Sequence, residues 1–204
     1  MLAFTRTRDS QQEGAPTSSL RVKYERPWWL APWDTCKIVP TMYTLHCARK
    51  LLDRVKQPIS AAPLAPTTTL GSWYATVLFW KPHVALLVNE RTLLPVLMPL
   101  APAAKLADFF PERLAAVLHA LGVDANFIAR EVEAMAQSSL AKTANRSVVG
   151  SMNEFSFLAE GYRDVMETTN LLALTLRLAD TPCSPIKYSS PVQALREIVA
   201  SGVS

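Results

Sequence analysis

Three apolar runs between residues 72 and 98 constrain this chain more than any other feature. SWYATVLFW at Ser72 to Trp80 is rich in aromatic and β-branched residues, VALLV at Val84 to Val88 is continuously apolar, and TLLPVLM at Thr92 to Met98 returns after a turn at Asn89 to Arg91. The spacing predicts an antiparallel meander of three strands. Pro95 has no N–H for a ladder, so its strand belongs at a sheet edge or carries a bulge. A short strand is expected over Tyr43 to Ala48, where Tyr43, Leu45 and Cys47 alternate with Thr44 and His46 and lead into a short helix at Arg49 to Lys56. Ser138 to Ala144 reads as a further strand or extended segment. The fold class is therefore α+β: a small antiparallel sheet of three or four strands packed against a cluster of helices.

Helical periodicity begins at Ala103. One short helix is expected to Phe110, and a second from Pro111 with Leu114, Val117, Leu118 and Leu121 inward and Gly122 as its stop. Asp124 caps a third, with Phe127, Ile128, Val132 and Met135 on one face. Asn145 caps a central helix in which Val148, Met152, Phe155 and Ala159 recur at i, i+4, i+7 and i+11. TTNLLALTLRL at 168–178 fits strand alternation and helix spacing alike, and the cap at Asn170 with the Leu and Ala content favours helix. Ser190-Pro191 opens a last amphipathic helix carrying Val192, Leu195 and Ile198.

With 204 residues and 50% hydrophobic composition the chain can bury one proper core. Residues 1–41 read as a disordered extension, polar to residue 26 and then Trp- and Pro-rich at 27–40 (PWWLAPWDTCKIVP). Residues 42–188 read as one globular domain containing a Pro, Ala and Thr loop at 57–69, and 189–204 as a C-terminal amphipathic helix and tail. The net charge of +4 is small and is partly carried by residues 1–41, which argues against a strongly basic nucleic-acid protein. Cys36, Cys47 and Cys183 are an odd set without a CxxC, so neither a disulfide framework nor a zinc site is indicated and a reducing, cytoplasmic compartment fits. No apolar run reaches 18 residues, so no membrane-spanning helix is expected.

The chemistry-bearing motifs give little. There is no glycine-rich phosphate loop, no HExxH and no GxSxG, and three scattered histidines do not make a metal site, so no metal and no cofactor are expected. The densest polar pattern lies on the central helix. Arg146, Gly150 and Asn153 form one row beside the core stripe and Ser147, Ser151 and Glu154 the next, with Lys142 and the Asn145 cap at their start. A helix N-terminus with Lys142 and Arg146 beside it attracts an anionic group. Lys142, Asn145, Arg146, Ser147, Asn153 and Glu154 are thus the candidate binding residues, with His46, Arg49, Lys50 and Trp73 in second place. Gly150, in mid-helix, points to close packing against its backbone.

Three functions fit these residues. The favoured one, which needs no catalytic group, is a non-catalytic interaction or regulatory module whose partner is another protein, in the manner of an antitoxin or a mobile-element regulator. The second is nucleic-acid binding through Arg49, Lys50, Arg54 and Lys56 with Lys142 and Arg146. The third is an enzyme with a site assembled around Arg146 and Glu154, with His46 and Lys142 brought in from distant segments.

KTANRSVVGSMNEFSFLAE, with MYTLHCARKLLDR, the SWYATVLFW to LLVNERTLLPVLM block and LRLADTPCSP, resembles a family of small uncharacterised bacterial proteins known only as a domain of unknown function. The likeness covers about residues 42–188. It implies a bacterial cytoplasmic protein of one domain that begins near Met42, and it carries over no catalytic or binding residue.

Overall fold

A computed structural model describes residues 42–62, 65–166 and 169–201. The expectations for the Trp-rich segment and the rest of 1–41 lie outside the described residues. Eleven regular elements follow in chain order: β1 (Met42–Cys47), α1 (Arg49–Val55), β2 (Trp73–Leu78), β3 (Val84–Asn89), β4 (Pro95–Pro99), α2 (Leu106–Ala120), α3 (Ala125–Glu133), β5 (Gln137–Lys142), α4 (Arg146–Val165), α5 (Leu171–Ala179) and α6 (Pro191–Ser201). The sheet order is β4-β3-β2-β1-β5.

The meander of β2, β3 and β4 is antiparallel as its spacing predicts. The expectation of three or four antiparallel strands is nevertheless corrected: the sheet has five strands and is mixed, because β1 pairs in parallel with both β2 and β5. Parallel neighbours are separated by long crossovers, so no local turn signal in the sequence announces them. Pro95 sits in β4 at an edge of the sheet. There the Leu97 N–H donates to Thr175 Oγ1 at 2.9 Å, so α5 covers part of that edge. At the opposite edge Ser60 N donates to the Leu140 carbonyl at 2.7 Å.

Helices cover both faces of the sheet. Tyr43, Leu45, Trp73, Ala75 and Leu87 share one apolar cluster with Leu51 of α1, Phe110 and Leu114 of α2, Phe127 of α3 and Leu195 of α6. Tyr74, Leu78, Leu86, Val88 and Leu97 share the other with Val148, Met152, Phe155 and Ala159 of α4 and Leu174 and Leu178 of α5. Every residue of β3 is buried, which explains why Val84 to Val88 are continuously apolar rather than alternating.

The helix expected to start at Pro111 is also corrected. Residues 106–120 form one helix with Pro111 inside it, preceded by a 3-10 turn at Ala103–Lys105. Pro111 removes the N–H that would bond the Ala107 carbonyl four residues back. That carbonyl instead accepts from the Tyr43 hydroxyl at 2.7 Å, a partner from β1 that local sequence cannot reveal. Asn89, at the turn between β3 and β4, is fully buried. Its Nδ2 donates to the Leu70 carbonyl at 2.9 Å, and its Oδ1 accepts from Thr92 N at 2.9 Å and Arg91 N at 3.0 Å. Residues 171–179 are helical, and Asn170 Oδ1 accepts from Leu172 N and Ala173 N.

Candidate functional site

The start of α4 is tied to the sheet by one small knot. Asn145 Oδ1 accepts from Ser147 N at 3.0 Å and Val148 N at 3.4 Å, closing the helix end. The Asn145 backbone N–H donates to the Tyr74 hydroxyl at 3.2 Å, while its Nδ2 donates to Glu90 Oε1 at 3.3 Å. Tyr74 in turn donates to Glu90 Oε1 at 3.4 Å. Burial, then the neighbouring Glu90 charge, raises the Tyr74 pKa, so the hydroxyl keeps its proton as a donor. Asn145 therefore holds α4 against the β3–β4 turn and has few groups left to offer a ligand.

His46 stacks on Tyr74 with ring centroids 4.6 Å apart, and its Nδ1 lies 3.0 Å from the Lys142 carbonyl. Its ring borders a groove of about 550 Å³ shared with Ile59, Ser60, Ala141 and Lys142. Cys47 is in register with Lys142, so the starts of α1 and α4 leave neighbouring parallel strands at the same end of the sheet. Arg49, Lys50, Arg54 and Lys56 are exposed on or just after α1. Lys50 Nζ and the Arg54 guanidinium lie 5.7 and 5.3 Å from the centre of the Phe79 ring, itself 54% exposed. Trp73 is fully buried edge-on to Phe110, and its indole N–H finds no acceptor among the described residues.

Along α4 the polar rows separate. Lys142, Arg146, Ser147, Asn153 and Glu154 are exposed, whereas Ser151 is buried and donates back to the Ser147 carbonyl at 3.3 Å, so it belongs to the core side and not to the strip. The close packing expected at Gly150 is absent: a Cβ there would meet nothing within 4 Å, and the same holds at Gly161. Arg146 and Glu154 stand about 12 Å apart along the helix axis at 1.5 Å per residue, too far to act on one small group. Glu154 instead lies near enough to Cys183 to add to the burial that pushes that thiol up to about 11.

Two residues on this face escaped the sequence reading. Phe157 is 77% exposed and Val165 83% exposed, both off the apolar stripe that faces the sheet. The available signal was a large apolar side chain out of phase with Val148, Met152, Phe155 and Ala159. Glu131, also missed, is 1% exposed; its two carboxylate oxygens accept from Thr69 N at 2.8 Å and Leu70 N at 3.0 Å. Among the described residues no group of three or more His, Cys, Asp or Glu side chains is arranged to hold a metal ion. No described helix is long and apolar enough to cross a membrane.

Fold and surface together define a three-layer α+β protein that turns the outer face of α4, the longest helix among the described residues, to solvent. The chain belongs to the family described as a domain of unknown function (DUF6933), which matches residues 44–194. No curated protein and no solved structure matches it.

Proposed function

We propose that the chain is a non-catalytic protein-interaction module that presents the outer face of α4 to a partner protein. The observation that carries this reading is Phe157, a large apolar side chain held 77% exposed in the middle of a 20-residue helix whose inner face is fully used by the core. Asn153 and Glu154, one turn before it, and Arg146, three turns before it, line the same helix as exposed polar groups that remain hydrated beside the apolar anchor. Asn145, capping the N–H groups of Ser147 and Val148, then supports the site by fixing where the helix starts, and Lys142 adds an exposed cation at the end of β5. Cys47 and Cys183, free thiols pushed up to about 12 and about 11 with burial as the main cause, are consistent with a reducing cytoplasmic setting.

A photo-crosslinking side chain at position 157, introduced in the native cell, tests the reading. A discrete adduct is expected from position 157 and none from position 112, an exposed site on α2. Equal labelling at both positions, or none at 157, overturns it.

A second reading has its own support. Phe79, flanked by Lys50 and Arg54, offers a stacking surface between two cations, the elements of a single-strand nucleic-acid site. It predicts binding to oligonucleotides that weakens steeply with salt and is lost in Phe79→Ala. Binding that persists unchanged in that variant removes it.

A further inference from the structure

Arg146 opens α4 and Asp164 lies in its last turn, eighteen residues, or five turns and about 27 Å, further on. Both charges stand on the end that the helix dipole disfavours, a cation at the N-terminus and an anion at the C-terminus. Five whole turns place the two side chains in line on the same flank of the exposed face. Arg163 donates to Asp164 through Nε at 3.1 Å and NH2 at 3.0 Å, both to Oδ1, and Oδ2 has no donor among the described residues. No acidic group in the described chain pairs with Arg146. Between the two charges stands Phe157, about two residues from their midpoint.

We propose that the occupant of this face is a second copy of the chain, paired α4 against α4 in antiparallel order about a two-fold axis near residue 155. The proposal rests on the interaction reading above and names its partner. An antiparallel copy sets each Arg146 beside the partner's Asp164 on the same flank, so the unpaired Arg146 and the Asp164 oxygen that Arg163 leaves free are met at once by symmetry. The two Phe157 rings then lie about 6 Å apart along the axis and cover one another, at 1.5 Å of rise per residue. Gly150 and Gly161, each with open space where a Cβ would stand, fall at matched heights either side of the axis and leave room for the two backbones to approach. The glycines alone would point to no partner; the exposed ring and the complementary ends choose this one. A parallel pair would set Arg146 on Arg146 and Asp164 on Asp164, which excludes it.

One helix pair is a small interface, so the association is expected in the micromolar range. Sedimentation of the purified full chain gives its constant. Arg146→Asp and Asp164→Arg should each weaken pairing by about tenfold, from lost attraction and new repulsion at two symmetric positions. The double variant should return to within about threefold of the natural chain. Both changes move charge to the end of the helix that the dipole prefers, so neither endangers folding, and circular dichroism of each variant checks this. A chain that stays monomeric at about 200 µM, far above a micromolar constant, overturns the proposal. So do single reversals without effect, or a double variant as weak as the singles. A monomeric chain that still gives a discrete adduct at position 157 in the cell refutes the self-pairing alone and leaves the interaction reading standing.

Discussion

Helices α3 and α4 are built alike at one end and diverge at the other. Each starts on a side chain that accepts two backbone N–H bonds, Asp124 for α3 and Asn145 for α4, and each buries an apolar stripe. Each also carries a residue that breaks a simple rule. On α3 it is Glu131, a carboxylate placed in the core; on α4 it is Phe157, an aromatic ring placed in solvent. The anomaly on α3 is resolved inside the chain, since both oxygens of Glu131 take backbone N–H groups of the segment leading into β2. The anomaly on α4 has no answer within the described residues. An odd residue that the fold itself explains is structural, and one that the fold leaves unexplained points outward.

The largest effect should come from breaking the internal answer. Glu131→Ala strands the buried N–H of Leu70 and unties that of the exposed Thr69, and is expected to cost about 2 kcal/mol, chiefly the desolvation penalty of the Leu70 donor. Urea unfolding measures it, and a loss below about 1 kcal/mol would mean that water replaces the carboxylate. The same residue has a pH signature. Burial raises its pKa, with the backbone hydrogen bonds pulling the other way. A raised folded pKa means that the native state holds the proton longer than the unfolded chain. This contribution to stability is complete below the ordinary carboxylate pKa of about 4.3 and declines as pH rises through the raised value. Glu131→Gln removes the titration, so the stability of the natural chain relative to this variant should fall as pH climbs from about 4. A difference independent of pH would show that the carboxyl does not titrate differently on folding.

Next in size is the knot at the start of α4. Asn145→Ala removes the cap and the donor to Glu90 together, and is expected to cost about 1 to 2 kcal/mol. Because Asn145 acts by fixing the helix start, the pairing of α4 with a partner should weaken with it even though Asn145 makes no side-chain contact across the pair. Unfolding and sedimentation of one preparation test both halves. A stable variant that fails to associate would move Asn145 from the scaffold into the interface.

Much of this was legible in the residues. Local signals carried the meander, all three Asx caps and the inward stripe of α4, because each depends on neighbours within a few positions. The parallel placement of β1 and β5 was not legible, since the pairing of Leu45 with Leu140 spans most of the domain. Nor was the continuous α2, whose Pro111 is tolerated only because Tyr43 takes the orphaned Ala107 carbonyl. On α4 the sequence singled out Arg146, Asn153 and Glu154, which are exposed, yet placed the buried Ser151 in the same polar strip. A helical wheel assigns faces by angle alone, and the width of the buried face depends on how closely the sheet and α5 approach. Phe157 carries no polar signal, and its exposure depends on which arc of α4 the sheet and α5 leave uncovered.

The smallest expected effect concerns Gly150 and has opposite signs in the two measurements. In the isolated chain nothing stands within 4 Å of the position a Cβ would take, so Gly150→Ala fills empty space and gains helix propensity. Thermal or urea unfolding under monomeric conditions should therefore show a gain of about 0.5 to 1 kcal/mol. In an antiparallel α4 pair the same methyl group stands between two close backbones, and association should weaken by about threefold, well under 1 kcal/mol. A stabilised variant that pairs as well as the natural chain would make Gly150 a tolerated residue and reduce the docking face to Phe157 and its charged ends. A variant destabilised as a monomer would contradict the open surroundings of Gly150, and with them the contrast between a helix whose oddities are settled inside the chain and one whose oddities are not.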